Sequence, residues 1–413
     1  MNFIERFDQA TKNLAAAGRE SRSTLASEIV KEANKLGVYA ASILPLYQAL
    51  GRKELEPITI PAFNLRGLTY HIARVIWRTV LERHCGPVIF ELAPAESTTG
   101  DQSFDEFAAM VLAAACREGY RGPVFLQGDH FSIETPKDET AVQFLAKEVV
   151  ESGFYHIDID GSHLINTDSD KLEVIHRQNA EITARMITYL RTRHTSDTEL
   201  VLGGEVGEIG GKNTSVADLE AFYRLITKYL EPGISGLDKI SVQTGTTHSG
   251  IVLQDGSLGS MNVDFDLTAT LSSKARDLGW NGLVQHGAST LTISDLAKLP
   301  AAGVIEVHLA THIQNIIFDH PAFPVKLRKA MQDKLVVSSR GAEGDVITDT
   351  DSLTQAQQFY KARWTAWGLF KSELWELTPE VLTPIEESLA FWVAEVCTAL
   401  RITDRAHLMQ EYF

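Results

Sequence analysis

Short apolar or β-branched runs alternate with longer amphipathic stretches from Glu56 to Leu309. The short runs have the length and composition of buried strands, and the long stretches have the apolar spacing of helices packed on one face. Alternation of this kind favours parallel strands joined by crossover helices. We count eight strand-like runs: 58–63, 87–92, 123–127, 155–160, 199–204, 239–243, 282–285 and 304–309.

Amphipathic helical segments are predicted between these strands, such as those at 69–83, 105–118, 140–151, 171–192, 216–229 and 268–278. Eight strand–helix units are the number needed to close a barrel. The predicted fold is therefore α/β, a (β/α)8 TIM barrel. A doubly wound open sheet is the alternative that the same alternation allows.

Both ends of the chain have a different texture. Residues 1–52 are rich in Ala, Glu, Lys, Arg and Leu, which predicts helices, and residues 320–413 also look helical apart from a loop at 340–351. This pattern predicts an N-terminal helical extension (1–55), a barrel catalytic domain (56–320) and a C-terminal helical extension (321–413). Tryptophan and phenylalanine are concentrated in the last segment, which favours a role in packing or in subunit contacts of a homodimer or homotetramer.

Composition narrows the class of protein. The 413 residues are 44% hydrophobic and carry a formal net charge of -16, which disfavours nucleic-acid binding because phosphate backbones need a basic surface. The three cysteines, Cys85, Cys116 and Cys397, are widely spaced and form no CxxC pair, as is typical of a reducing compartment. With neither a signal-peptide pattern nor an apolar run of membrane-spanning length, we expect a cytoplasmic enzyme without membrane association.

Metal-binding residues follow four of the predicted strands. The third, fifth, sixth and seventh strands lead into Asp129–His130, Glu205 with Glu208, His248 and His286, respectively. Because the carboxyl ends of barrel strands meet at one mouth, three imidazoles and a carboxylate can converge there. Three protein ligands with an open position are typical of catalytic zinc, although cobalt or iron also accept imidazole.

Small residues follow the sixth and seventh strands, as Gly245–Thr246, Ser249–Gly250 and Gly287-Ala288-Ser289. Backbone N–H groups of such turns can approach an anion, and barrel phosphate sites favour the loops after the last two strands. Turns of this composition are also common without any ligand.

The strand-end motifs, taken in order, resemble those of the class II fructose-bisphosphate and tagatose-bisphosphate aldolases. The resemblance runs from Ile58 to Thr311. Its motifs are PAFN at 61–64, GDH at 128–130, IDGSH at 159–163, GEVGEIGG at 204–211, GTTHSG at 245–250 and QHGAS at 285–289.

The resemblance implies roles for the metal-binding residues. His130, His248 and His286 would hold the catalytic zinc or another divalent metal, and Glu205 would be an alternative or second-site ligand. Asp129 would be the acid/base acting on the C4 hydroxyl of the substrate. A monovalent cation would also be compatible with the family.

Further residues would contact the substrate or support the ligands. Asp160 would be a carboxylate lying behind the metal ligands. The residues implied to lie near the sugar phosphate are Asn64, Ser249, Gly250, Gly287, Ser289, His308 and Thr311.

The implied reaction is the cleavage of fructose 1,6-bisphosphate into dihydroxyacetone phosphate and glyceraldehyde 3-phosphate. Zinc would polarise the ketone and stabilise the enediolate, while a carboxylate takes the hydroxyl proton. A Schiff-base mechanism would instead need a lysine near a strand's carboxyl end. Lys239 begins the sixth run, at the opposite end.

The sequence departs from the family pattern at several positions. Alanine replaces serine at Ala93 and glycine at Ala288, serine replaces glycine at Ser249, and Lys212–Asn213 replaces an acidic pair. In the eighth strand, Glu306 and His308 stand where the family has lysine and asparagine. Two alternatives follow: the same lyase chemistry on a different sugar phosphate, since Glu306 would repel a nearby phosphate, or a non-catalytic barrel subunit.

Overall fold

The parallel strands close into an eight-stranded barrel, as the alternation predicts. The computed structural model describes residues 3–208, 210–247, 250–259, 261–338 and 353–413. The barrel strands are β2 (Ile60–Asn64), β3 (Ile89–Leu92), β4 (Gly122–Ser132), β5 (His156–Asp160), β6 (Val201–Glu205), β7 (Lys239–Ser241), β10 (Leu283–Gln285) and β11 (Val304–Leu309). Strand β11 pairs with β2, and β4 pairs with β5, which closes the cylinder.

The loop after β7 contains a small antiparallel hairpin, formed by β8 (Ile251–Val252) and β9 (Leu258–Gly259). Helices surround the barrel and form both extensions. They are α1 (Phe3–Ala16), α2 (Arg19–Lys35), α3 (Leu44–Gly51), α4 (Thr69–Glu82), α5 (Pro94–Thr99), α6 (Phe104–Glu118), α7 (Glu139–Glu151), α8 (Leu172–Ile175), α9 (Arg177–Arg193), α10 (Val216–Tyr229), α11 (Phe265–Asp277), α12 (Ile293–Leu296), α13 (Thr311–Asp319), α14 (Val325–Ser338), α15 (Gln355–Ala362), α16 (Ala366–Leu369), α17 (Lys371–Trp375), α18 (Pro379–Ala399) and α19 (His407–Tyr412).

The N-terminal segment is not entirely helical, in contrast to the prediction for residues 1–52. A strand, β1 (Val38–Ala41), pairs in parallel with the first residues of β4, from Gly122 to Phe125. Strand β5 pairs with β4 only from Gln127 onwards. The backbone N–H and C=O groups along that edge at the start of β4 would otherwise be unpaired, and β1 pairs with them. The helical composition of the flanking segments hides this short β-prone run.

The N-terminal extension also contacts the barrel interior. The side chain of Tyr47, on α3, is fully buried, and its hydroxyl donates a hydrogen bond to the Glu306 carboxylate on β11. The backbone N–H of Ile43 donates to Nε2 of the buried His156 on β5 (3.0 Å). Helix α3 and the residue before it therefore hydrogen-bond to a buried carboxylate and a buried imidazole of the barrel.

The C-terminal helices pack on the barrel's outer helices. Trp367 is 1% exposed, its indole stacks on Phe318 (centroids 4.4 Å apart), and its Nε1–H donates to Gln314 (3.1 Å). Gly67 has φ of 69° and lies directly against this indole. Phe391, in contrast, is 68% exposed on α18. In the described part of the chain, no helix combines the length and apolar character that crossing a membrane requires.

Candidate active site

Strand β4 carries Asp129 and His130 on a β-bulge. The register of its pairing with β5 shifts between Gly128 and Phe131, and His130 has φ of 46°, a left-handed conformation unusual for a non-glycine residue. Consecutive side chains of a regular strand point to opposite faces, and a bulge breaks that alternation. Both functional side chains can therefore face the barrel mouth.

His130, Glu205 and His286 meet at that mouth. His130 Nδ1 lies 2.7 Å from Glu205 Oε1, and His286 Nδ1 lies 3.4 Å from the same oxygen. One ligand atom from each of the three residues lies within 4.8 Å of the others. Two imidazoles and a carboxylate at this spacing form a donor set suited to zinc or a similar divalent metal.

The protonation of these groups also fits a cation site. Burial lowers the pKa of His130, but the charges of Asp129 and Glu205 outweigh burial and hold that pKa well above its usual range. Burial, together with the charge of Asp160, raises the pKa of Glu205 to about 7. Without a metal, the carboxylates are compensated by a proton on His130, which a divalent cation can replace.

The third predicted histidine, His248, lies outside the described residues together with Ser249, and their roles remain predictions. The loop leading to them is well anchored, because Thr246 Oγ1 donates to the backbone oxygen of His286 (2.8 Å). Gly287 has φ of 67°, and a Cβ there would lie 2.8 Å from the Thr247 backbone oxygen. The two loops that carry His248 and His286 therefore contact each other directly.

Asp160 lies next to His130, and the supporting role that the resemblance implies for it remains a prediction. Its Oδ2 is 3.7 Å from His130 Nδ1, and its Oδ1 accepts two hydrogen bonds from the backbone N–H and hydroxyl of Ser162. Burial raises its pKa, but the proximity and charge of His130, with the hydrogen bonds from Ser162, hold it well below its usual range. Asp160 is therefore ionised and acts on the imidazole as a neighbouring charge, because 3.7 Å is too long for a hydrogen bond. Glu208, the other acidic residue predicted after β6, is exposed beyond this group.

Asp129 contacts a second histidine, His308. The His308 Nδ1 lies 3.1 Å from Asp129 Oδ1 and 3.1 Å from Glu91 Oε2, while its Nε2 lies 2.6 Å from Glu306 Oε1. Its ring stacks on that of His286 with centroids 4.1 Å apart. Burial lowers the pKa of His308, but Glu91 and Asp129 hold it well above its usual range. Both ring nitrogens therefore donate to protein carboxylates, and its predicted substrate contact remains a prediction.

Glu306 lies inside the barrel and is fully buried. The Lys239 ammonium is 2.6 Å from Glu306 Oε1 and 2.9 Å from Asp158 Oδ1, and it also donates to Gln127 Oε1 (2.7 Å). Burial lowers the pKa of Lys239, but these two carboxylates raise it above its usual range. Such a lysine stays protonated, which agrees with the argument against a Schiff base.

The loop at the predicted phosphate site contacts the N-terminus of α13. The Ser289 hydroxyl accepts hydrogen bonds from the backbone N–H groups of Ala310 (2.6 Å) and Thr311 (3.2 Å). Gly250, which follows β7 and has φ of 72°, lies beside Thr290, the residue after Ser289. The predicted substrate residues Gly250, Gly287, Ser289 and Thr311 are thus brought together, next to backbone donors that suit an anion.

Asn64, at the end of β2, belongs to a cluster of polar side chains that the sequence pattern does not predict. Its Nδ2 donates to Glu96 Oε2 (2.7 Å), and the Arg66 guanidinium lies 2.5 Å from Glu96 Oε1 and donates to Asn64 Oδ1 (3.2 Å). The buried charges Glu91, Asp158 and Lys239 were also missed as site residues. In the sequence, each of them is a charged residue within a predicted strand. A charged residue is rarely buried in a strand unless its charge is paired, so these positions could have been recognised from the sequence.

Comparison with known proteins identifies related sequences and folds. The family model described as fructose-bisphosphate aldolase class II matches residues 46–363. The crystal structure of fructose-bisphosphate aldolase from Campylobacter jejuni is 17% identical, with a TM-score of 0.52 and coverage of 89% of this chain and 97% of that chain. The glycerol complex of the fructuronate-tagaturonate epimerase from Cohnella laeviribosi is 12% identical, with a TM-score of 0.54 and coverage of 94% and 84%. At these identities the structures show a shared fold.

Proposed function

The chain belongs to the class II fructose-bisphosphate aldolase family, and from that premise we propose that it is a metal-dependent aldolase acting on a ketose phosphate. Family membership supports aldolase-type lyase chemistry. The default substrate is fructose 1,6-bisphosphate, giving dihydroxyacetone phosphate and glyceraldehyde 3-phosphate. The observation that carries the proposal is the meeting of His130, Glu205 and His286 beside Asp129.

His130 and His286, with His248 as the predicted third ligand, would hold the metal, and Glu205 is close enough to replace one of them. A bound divalent metal would supply the electron sink that the cleavage of a carbon–carbon bond next to a ketone requires. Asp129, 6% exposed and within 3.7 Å of His130, would accept the C4 hydroxyl proton. His308 orients Asp129 through its Nδ1–H.

The phosphate next to the ketone would bind at Gly287 and Ser289. The N–H groups at the start of α13 already hydrogen-bond to Ser289, and a phosphate oxygen could share or replace that acceptor. In this proposal the phosphate would lie on the side of the mouth formed by β10 and β11.

The direct test is a coupled assay of triose phosphate release by purified protein with zinc. We expect turnover of a ketose phosphate, and loss of about 100-fold or more in kcat for Asp129→Asn, because the proton acceptor is removed. His286→Ala should lose both zinc and activity. His407→Ala, at an exposed histidine far along the chain, is the matched control. Full activity in both site variants would refute the proposal.

A second candidate is the same chemistry on a different sugar phosphate. It is favoured by His308, which stands where the family has asparagine and whose ring nitrogens are engaged by carboxylates. Glu306 does not support this candidate by repelling phosphate, because its carboxylate is buried against Lys239. A panel of ketose phosphates distinguishes the two candidates. A protein that neither binds zinc nor cleaves any of them would fit a non-catalytic subunit.

A further inference from the structure

Tyr47 reaches the barrel interior from the N-terminal extension. It lies on α3, whose last residue, Gly51, packs against Asn281, where a Cβ at Gly51 would lie 2.9 Å from the Asn281 Cα. Strand β10 begins two residues later, at Leu283, so α3 lies at the amino end of the barrel strands, opposite the mouth. The Tyr47 side chain enters the barrel from that end, is fully buried, and donates its hydroxyl proton to Glu306 Oε2.

The Glu306 carboxylate accepts hydrogen bonds on both of its oxygens. Its Oε1 lies 2.6 Å from the Lys239 ammonium and 2.6 Å from His308 Nε2, and it accepts the Gln127 amide (2.8 Å). Among the described residues, Tyr47 is the donor to Oε2. Without that donor the carboxylate could rotate about its last side-chain bond, which has a broad range of allowed angles. The Tyr47 hydroxyl therefore fixes the orientation of the oxygen that contacts His308.

His308 connects this carboxylate to Asp129. Glu306 and His308 are two residues apart on β11, so their side chains share its inner face, and His308 is the nearer to the mouth. Its Nδ1 lies 3.1 Å from Asp129 Oδ1 and also 3.1 Å from Glu91 Oε2. Because two carboxylates at equal distance compete for one N–H, a small tilt of the ring decides which of them is held. The shorter contact of Nε2 with Glu306, 2.6 Å, sets that tilt.

We propose that Tyr47 is a positioning residue for Asp129, acting through Glu306 and His308, so that the N-terminal extension contributes to the candidate active site. The inference rests on the proposed aldolase function, in which Asp129 accepts the C4 hydroxyl proton. Holding Asp129 Oδ1 sets the direction of its other oxygen towards the substrate. Misplacement of a reacting group by about 1 Å can cost on the order of a hundredfold in rate. Because Tyr47 does not touch the substrate, its loss should lower kcat rather than raise KM.

The first test is Tyr47→Phe, which removes the hydroxyl and keeps the ring, in the zinc-loaded full chain. In a coupled assay of triose phosphate release, kcat should fall about tenfold while KM changes by less than about twofold. The control is Tyr120→Phe, since the buried Tyr120 hydroxyl donates to the Pro123 backbone oxygen (2.7 Å) at the amino end of β4. That variant should keep both constants. An unchanged kcat for Tyr47→Phe, or an equal fall for Tyr120→Phe, would overturn the proposal.

A double-mutant cycle distinguishes positioning from a general weakening of the fold. In His308→Asn the connection from Glu306 to Asp129 is interrupted, so adding Tyr47→Phe should lower kcat further by less than about twofold. A second tenfold fall in the His308→Asn background would show that Tyr47 acts by another route, and it would overturn the proposal.

The hydrogen bonds are also observable without turnover, from the imidazole N–H signals in NMR spectra of protein containing isotope-labelled histidine. Signals that disappear in His308→Asn belong to His308, and both of its ring N–H signals should be present in the wild type. Tyr47→Phe should shift them, and Tyr120→Phe should not. Unmoved signals would overturn the proposal, as would a wild type without the Nδ1–H signal, a result that stands even if Tyr47→Phe does not fold. A wild type that cleaves no ketose phosphate would refute the aldolase function, while these spectra would still decide whether Tyr47 holds His308.

Discussion

His156 should make the protein sensitive to acid, and its environment allows the effect to be calculated. The ring is fully buried, its Nδ1 is 2.8 Å from the Leu126 backbone oxygen, and its Nε2 accepts the N–H of Ile43 (3.0 Å). A neutral ring with the proton on Nδ1 satisfies both contacts. A second proton, on Nε2, would point at the Ile43 N–H. Burial, with the charge of Lys239, lowers the pKa from 6.5 to about 4.

The direction of the effect follows from this lowered pKa. Between pH 6.5 and about 4 the His156 imidazole is protonated in the unfolded chain and neutral in the folded chain. The contribution of the neutral His156 ring to the free energy of unfolding is therefore complete above pH 6.5, and it is lost progressively as the pH falls towards 4. The interval corresponds to about 3 kcal/mol in the free energy of unfolding.

The matched perturbation is His156→Gln, since the glutamine amide can donate to Leu126 and its oxygen can accept from Ile43 without titrating. Urea unfolding of metal-free protein in chelator, followed by circular dichroism from pH 7.5 to 4.0, gives the free energy at each pH. Metal-free protein is used because a bound metal would dissociate in acid, and its dissociation would itself lower the free energy of unfolding. We expect the wild type to lose about 3 kcal/mol more than the variant over this range.

The control is His407→Gln, at an exposed histidine, which should follow the wild-type curve. Parallel pH curves for the wild type and His156→Gln would refute the reasoning, because they would mean that the buried ring does not resist protonation. A variant that loses stability equally at every pH would show that only packing at this position was changed.

Three further predictions concern packing, charge and metal. Gly67→Ala would place a Cβ against the Trp367 indole at a residue with positive φ. Thermal unfolding should show that the free energy of unfolding falls by about 2 kcal/mol or more. Gly119→Ala, where the space is open, should lower it by less. Lys239→Met leaves the carboxylates of Glu306 and Asp158 without their cation. Urea unfolding at pH 7 should show that the free energy of unfolding falls by about 3 kcal/mol or more, and the difference from the wild type should be smaller in acid. An unchanged urea midpoint would contradict the pairing. Zinc should raise the melting temperature of the metal-free wild type and do so less for Glu205→Gln; equal shifts would exclude Glu205 as a ligand.

The barrel could be predicted from sequence because its signal is regular. All eight predicted runs overlap the eight barrel strands, since strands buried on both faces are continuous apolar runs separated by amphipathic helices. Strand β1 could not be predicted from the same signal. Its partner is the open edge at Gly122–Phe125, which exists only once β4 and β5 are aligned.

The candidate site could be predicted in part, for a related reason. His130 and Glu205 lie near the carboxyl ends of β4 and β6, and His286 directly follows β10. Topology alone brings such strand ends together. The bulge that turns both Asp129 and His130 to the mouth depends on the register of β4 with β5, which sequence periodicity does not reveal. Asn64 was predicted near the site, but its pairing with Glu96 joins the end of β2 to helix α5, and the distance between these two elements requires coordinates.

The position of Glu306 shows why a single departure from a family pattern is a weak guide. Viewed alone, a glutamate where the family has lysine suggests repulsion of a phosphate. In the barrel, the Glu306 carboxylate lies 2.6 Å from the Lys239 ammonium, so the cation is present but comes from β7, which is separated from β11 by β10. A buried charge is tolerated only with its partner, so changes at 306 and 239 have to be interpreted as a pair. Strand β11 therefore affects the mouth through His308, which the same glutamate orients towards Asp129.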